Sequence, residues 1–149
     1  STKPRAIEVH TDGKADVAER RPVRHVPLVG SVAAGPGVIA QEQIEELLPL
    51  PQDLTGDGEL FMLTVRGDSM IDVGIFSGDY VVARQQSTAD RGEIVVAGIP
   101  GEEATVKTLT THSSEGTTLT PANSTMEPLC YPPGEVVIFG RVVTVLRKL

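Results

Sequence analysis

The chain has no tryptophan and only three phenylalanines and two tyrosines among its 149 residues. A core without bulky rings must be filled by Val, Ile, Leu and Ala, and the β-branched members of that set favour sheets. Cysteine occurs once, at Cys130, which excludes an intramolecular disulfide; one Cys with three His also leaves no zinc-type ligand spacing, so no metal is expected. Such usage fits a reducing, cytoplasmic setting. Positive charge is short as well: 13 Lys and Arg against 20 Asp and Glu give a net charge of -7, a surface that repels nucleic-acid phosphates. No apolar run approaches the roughly twenty residues needed to cross a bilayer, and no hydrophobic signal segment opens the chain. A soluble protein with no membrane partner is expected. Residue 1 is Ser rather than Met, so a processed or cut end is expected there.

What is abundant points the same way. Fifteen Gly and 11 Pro suit many short strands joined by tight turns. A chain of this length suits one domain that buries about two-thirds of its unfolded surface. The expected fold is mostly β, a single compact domain of twisted antiparallel sheets preceded by a flexible N-terminal linker. Residues 1–25 form the linker, polar and mixed in charge, with Ile7, Val9 and Val17 too scattered to make a face; residues 26–149 form the domain. His10 and His25 have no partner at ligand spacing and are assigned no role.

From Val26 the chain turns apolar, through Leu28, Val29, Val32 and Ala34, and then meets Gly35-Pro36-Gly37. The Ala34–Gly35 bond carries almost no side-chain bulk, so a narrow cleft could take it in extended form; the same residues also read as a plain loop. Ile44, Leu47 and Leu48 have helical spacing, but Pro49 and Pro51 limit that stretch to a short helical turn. Residues 52–59, with Gly56 and Gly58, read as a surface loop.

Leu60 to Val65 is a continuous apolar strand buried on both faces, and it runs into Arg66-Gly67-Asp68-Ser69-Met70. Gly67 allows a sharp turn, and Asp68 is placed to cap a short helix with Ser69 in its first turn. Backbone N–H groups there, of Ser69 and Met70, could hold an oxyanion beside a serine hydroxyl. An ordinary Gly-Asp-Ser turn is the other reading.

Further strands are expected at Tyr80–Arg84 and Glu93–Ile99, and Pro100-Gly101 has the central residues of a type II turn into the hairpin partner Ala104–Thr110. Period two places Lys107 on one face with Thr105 and Leu109. Either that face is solvated and the lysine ordinary, or it is buried and desolvation lowers its pKa, by up to about 3 to 5 units. In the second case the amine becomes a base near neutral pH. Residues 112–116 form a polar hairpin tip, residues 117–122 a short strand, and residues 123–134 an irregular loop holding Cys130 as an inert packing thiol. The chain closes on a long strand or strand pair from Glu135 to Arg147, bent or bulged at Gly140. Its apolar edge is the expected surface for a homodimer.

Taken together, the Ala34–Gly35 bond, the Gly67-Asp68-Ser69-Met70 turn and Val106-Lys107 resemble the LexA/UmuD/phage-repressor family of self-cleaving Ser/Lys peptidases. The spacing fits, with Ser69 35 residues after Ala34 and Lys107 38 after Ser69. So do Val26-Pro27-Leu28-Val29-Gly30, Leu48-Pro49-Leu50-Pro51, Gly78-Asp79-Tyr80-Val81-Val82, Pro121-Ala122-Asn123 and Gly140-Arg141-Val142-Val143-Thr144-Val145-Leu146. The resemblance covers about Val26 to Leu149. It implies the LexA and signal-peptidase-like fold, Ser69 as nucleophile, Lys107 as general base, the Ala34–Gly35 bond of the same chain as substrate, and no cofactor. It further implies an SOS-response repressor whose cleavage is stimulated by a RecA filament on single-stranded DNA and derepresses DNA-damage genes.

Two departures are visible. The family's winged helix-turn-helix has no counterpart in residues 1–24, so operator DNA would be bound only by an N-terminal domain absent here; and Ser124-Thr125-Met126 stands where relatives often carry an aromatic residue. A UmuD-like translesion polymerase subunit is the alternative within the family. A signal-peptidase-like enzyme or a non-catalytic β-rich dimerisation module are the alternatives outside it.

Overall fold

The structure, a computed structural model, describes residues 21–30, 44–99 and 101–149. Strand β1 (Val23–Val29) is followed by β2 (Ile44–Pro51), the single-turn helix α1 (Gln52–Thr55), β3 (Leu60–Thr64), a 3-10 turn at Ile71–Val73, β4 (Tyr80–Gln85) and β5 (Ile94–Gly98). Then come β6 (Thr105–Ser113), β7 (Gly116–Thr120), β8 (Leu129–Tyr131) and β9 (Val137–Leu146). The nine strands make one sheet in the order β2-β1-β3-β4-β9-β5-β6-β7-β8. Neighbours are antiparallel except β1 and β3, which meet in parallel at Leu28 and Met62. The β-rich class and single domain expected from composition are both present.

Alternation sorts the side chains of each strand onto two faces. On β3, Phe61 and Leu63 enter one core cluster with Val29, Val81, Ala83, Val96 and Phe139, whereas Leu60 and Met62 enter another with Val26, Leu28 and Val82. A third cluster holds Val95, Ala97, Leu109, Leu119 and Ile138. The first cluster draws residues from both sides of β9, so the sheet curls about that strand and packs one half on the other.

Curling needs bends, and β9 supplies them. Its pairings with β5 and with β4 each skip one residue, at Phe139 and at Val143. Gly140 lies beside the first bulge, where a Cβ would stand 2.5 Å from the Arg84 carbonyl oxygen, so the close approach of β4 requires glycine. This placement corrects the simple edge-strand expectation for residues 136–146. Pairing with β5 spans residues 137–141 and pairing with β4 residues 140–146, so among the described residues the β5-facing edge of Val142–Leu146 is left open, as is the β4-facing edge of residues 137–139 in the ladder.

Two other local expectations fail. Ile44–Pro51 is the outer strand β2 rather than a helical turn. Its helical spacing of apolar residues loses to pairing with β1, in which Leu48 and Leu50 turn inward while Pro49 and Pro51 sit on an edge that tolerates a missing N–H. Residues 52–59 are less irregular than a loop: α1 opens them, and Arg24 and Arg84 bind the carbonyls of Gly56, Asp57 and Gly58. Strand β1 begins at Val23, ahead of the apolar run that starts at Val26. Among the described residues no helix is long and apolar enough to cross a membrane, and no group of three or more His, Cys, Asp or Glu gathers as a metal site.

Candidate active site

The segment between β3 and β4 closes one end of the first core cluster. Val65 N–H donates to the Asp79 carbonyl at 2.7 Å and Gly78 N–H to the Val65 carbonyl at 2.8 Å, pinching the base of a loop. Met70, 1% exposed, and Ile75 drive the loop's middle into the core. Between these anchors the backbone turns at Gly67, whose φ of +86° is the left-handed region that glycine tolerates without strain. Ser69 is left half-buried at the surface of the turn.

The expected helix cap is not formed. The 3-10 turn starts only at Ile71, its cap residue is Met70, and no side chain caps it. Asp68 contributes its carbonyl oxygen instead, which accepts from Ile71 N–H at 3.4 Å. The 3-10 turn itself is closed by Val73 N–H to the Met70 carbonyl at 3.3 Å and Gly74 N–H to the Ile71 carbonyl at 3.0 Å, so Ser69 precedes the helical residues rather than lying among them.

A second support grips the loop from its far end. Asp79, 2% exposed, receives two hydrogen bonds from Arg147 at 2.8 Å and one from Phe76 N–H at 2.8 Å. The Arg147 hydrogen bond, then the Phe76 N–H, holds its carboxyl down at about 2. Arg147 also binds the Gly74 carbonyl and lies over the Phe76 ring, 4.8 Å from its centroid.

Lys107 stands on β6 opposite Val95 of β5. Its face is the buried one: Lys107 is 8% exposed and Leu109 1%. Desolvation lowers the lysine's pKa from its ordinary value. Nζ donates to Thr105 Oγ1 at 2.5 Å.

A cleft of about 290 Å³ brings the two regions together. Ser69, Thr64 and Arg66 line one side, Thr105 and Val106 another, and Gly30 at the end of β1 a third. Lys107 is not itself on the cleft wall; it adjoins the cleft through Thr105, and its hydrogen bond goes to that hydroxyl rather than to Ser69. A serine in a cleft, a lysine inclined to lose its proton and backbone N–H groups in a tight turn make a set suited to acyl transfer.

Ala34 and Gly35 lie outside the described residues, as does His10. His25 is exposed on β1. Cys130 is exposed on β8, with Thr118 Oγ1 at 3.7 Å from its sulfur, rather than packed inside as the sequence suggests. Sequence reasoning gave no role to Thr105, although period two already put it on the face of Lys107.

Residues 27–143 match the family described as Peptidase S24-like. The chain belongs to that family. It is 49% identical over 149 residues to a LexA repressor of Pelotomaculum thermopropionicum, covering 100% of this chain and 70% of that protein. It is 47% identical to a LexA repressor of Alkaliphilus oremlandii, with 99% and 70% covered, and 45% identical to one of Exiguobacterium, again with 99% and 70% covered. The chain is therefore a LexA-like peptidase domain, and the matched span takes in Ala34, Ser69 and Lys107 together.

Proposed function

We propose that this domain cuts its own Ala34–Gly35 bond with Ser69 as nucleophile and Lys107 as general base, and thereby inactivates an SOS-type repressor. The observation that carries the reading is the path of the chain. β1 ends at Val29, just before Gly30 on the cleft wall, and the chain re-enters the sheet at Ile44, paired with Val29. Ala34 is four residues beyond Gly30, an extended reach of about 13 to 14 Å, so the bond is tethered within range of the cleft. An intramolecular substrate needs no capture from solution, only docking.

Lys107 in its neutral form has a lone pair to accept the Ser69 proton while an N–H still donates to Thr105 Oγ1. Ser69 Oγ then bonds to the Ala34 carbonyl carbon, and the charge that develops on the Ala34 oxygen is met by N–H groups of Ser69 and Met70. Lys107 passes its proton to the Gly35 nitrogen, the C–N bond breaks, and the Ala34 ester of Ser69 is hydrolysed by water activated by the same amine. No cofactor enters these steps.

The wider reading follows the family resemblance and the relatives, whose names favour a repressor over a polymerase subunit. A RecA filament on single-stranded DNA would favour the docked conformer, a population shift rather than new chemistry. Operator DNA would be held by an N-terminal domain, since a net charge of -7 opposes phosphate binding here. The setting would be cytoplasmic, with the chain before Val23 as the linker, since β1 takes Val23 to His25 out of the expected span 1–25. The open edge of Val142–Leu146 would pair with its symmetry mate in a homodimer.

The test is intact-mass analysis after alkaline incubation at several protein concentrations. One cut is expected, with a new end beginning Gly35-Pro36-Gly37, a first-order rate independent of concentration, and no cut in Ser69→Ala. Cleavage at another bond, or persistent cleavage in Ser69→Ala, would overturn the assignment.

A further inference from the structure

We infer that Asn123 is a positioning residue that sets the direction of the Ser69 N–H by holding the preceding carbonyl. The inference rests on Ser69 being the nucleophile. Asn123 lies in the loop between β7 and β8 and is 9% exposed. Its Nδ2 donates to the Asp68 carbonyl oxygen at 2.9 Å, across 55 residues of sequence. Its Oδ1 accepts from Thr125 N–H at 2.9 Å and from Thr125 Oγ1 at 2.7 Å. A backbone N–H can only donate and a backbone carbonyl can only accept, so these partners fix which way the amide faces.

The same loop is tied to the nucleophile turn twice more. Asp72 N–H donates to the Ala122 carbonyl at 2.7 Å, and Ser124 N–H donates to Asp72 Oδ2 at 2.9 Å. Asn123 is the member of this clasp that acts next to Ser69.

The consequence follows from peptide geometry. The Asp68–Ser69 peptide is planar and trans, so its C=O and N–H point in opposite directions. Pinning the Asp68 oxygen on the Asn123 side therefore aims the Ser69 N–H away from that loop. Among the described residues the N–H of Ser69 has no protein acceptor, which leaves it for a developing oxyanion. Without Asn123, the Asp68 oxygen keeps only the longer bond from Ile71 N–H at 3.4 Å, too weak to stop the peptide plane from rocking.

Asn123→Asp is the informative substitution. It keeps the size of the side chain and the acceptor for Thr125, but replaces the donor to Asp68 by a carboxylate oxygen that repels the carbonyl. The alkaline self-cleavage rate should fall about 10- to 100-fold, less than the 10²–10³ lost when an oxyanion donor is deleted outright. The pH at which the rate levels off should stay at the wild-type value, because Lys107 is untouched. In amide NMR spectra of the uncut Ser69→Ala background, Asn123→Asp should move the resonances of residues 69 and 70 and leave those of β5 and β6 in place. Asn123→Ala, which lacks the repulsion, should show a smaller change of the same kind. A lowered melting temperature with an unchanged cleavage rate would make Asn123 merely structural and overturn the inference, as would unmoved resonances at residues 69 and 70. If the wild type does not cut at Ala34–Gly35 at all, the functional reading falls, and the resonances still decide whether Asn123 orients the turn.

Discussion

Self-cleavage should climb with pH and then level off below the ordinary lysine range. Only the neutral amine of Lys107 can take the Ser69 proton, and well below its pKa the neutral fraction grows about tenfold per pH unit. Because desolvation lowers that pKa from 10.5, the climb should break before 10.5 and run flat beyond. Rates taken by intact mass in half-unit steps from about pH 7 to 10.5 would locate the break. Lys107→Met should abolish cleavage at every pH, and Lys107→Arg should do so while keeping the charge, since guanidinium stays protonated throughout. The same burial has a stability signature of known sign. A lysine whose folded pKa lies below its unfolded one is bound less tightly to its proton in the fold, so stability rises with pH between the lowered value and 10.5. Each unit of lowering corresponds to about 1.4 kcal/mol. For a chain of this size that is about 3 to 6 °C in melting temperature. Lys107→Met should therefore gain on the wild type at pH 7 by that increment per unit, and the pH-dependent part of the gain should vanish by 10.5. A rate still rising tenfold per unit at 10.5 would mean a solvated base, and cleavage that persists in Lys107→Met would mean that the base is not this lysine.

The other expected outcomes concern the frame around the site. Asp79→Asn should lower the urea midpoint at pH 7; since the carboxyl is held at about 2 against an ordinary 3.8, its contribution is complete above 3.8 and is lost as pH falls through about 2. A deficit in the variant that persists undiminished at pH 2 would show that the Arg147 pair is not its source. Gly140→Ala must push a Cβ against the Arg84 carbonyl and the Phe61 ring, 2.5 and 3.0 Å away. An overpacking cost of about 1 to 3 kcal/mol implies a fall of about 2 to 12 °C in melting temperature; an unchanged value would mean that β4 and β9 part freely. Val145, 38% exposed on the open edge of β9, should tolerate Lys in the monomer but not in a strand-paired dimer. Sedimentation at micromolar concentration should show Val145→Lys as a monomer and the wild type as a dimer, and equal masses would remove that edge from the interface.

The strands were legible wherever burial and backbone preference agreed. Leu60–Thr64 shows the continuous apolar run of a strand covered on both faces, and its alternate residues do enter two different clusters. Gly101, with φ +89°, and the Glu102 N–H bond to the Ile99 carbonyl agree with the turn read there, Pro100 itself lying outside the described residues, and β6 follows as the hairpin partner. Ile44–Pro51 was misleading because short apolar spacing carries both periods, and only the presence of β1 beside it decides between them. The face of Lys107 was undecided for a similar reason. Period two names the residues on a face, but whether Leu109 and Lys107 meet solvent or Val95 depends on a sheet that curls, and the curl arises from bulges in β9. Asn123 was not assigned a role at all, because a bond that spans 55 residues leaves no local pattern.

That curl bears directly on the proposed chemistry. Ser69 follows β3, in the half of the sheet made by β2, β1, β3 and β4, whereas Lys107 sits on β6 in the other half, and β9 is the strand that both halves share. Their separation is therefore not fixed by any short segment of chain. It is fixed by how the first core cluster fills the space between the halves, with Phe61 and Ala83 from one half meeting Val96 of the other and Phe139 of the shared β9. Interiors packed to crystal-like density transmit a change of even one methylene, so the approach of amine to hydroxyl depends on side chains that touch neither. Thr105 completes the arrangement from the β6 side by holding Nζ at the cleft, as Asn123 does from the β7–β8 loop by holding the Asp68 carbonyl. On the proposed reading, regulation would belong to whether the Ala34–Gly35 bond is presented to the cleft rather than to assembly of Ser69 and Lys107.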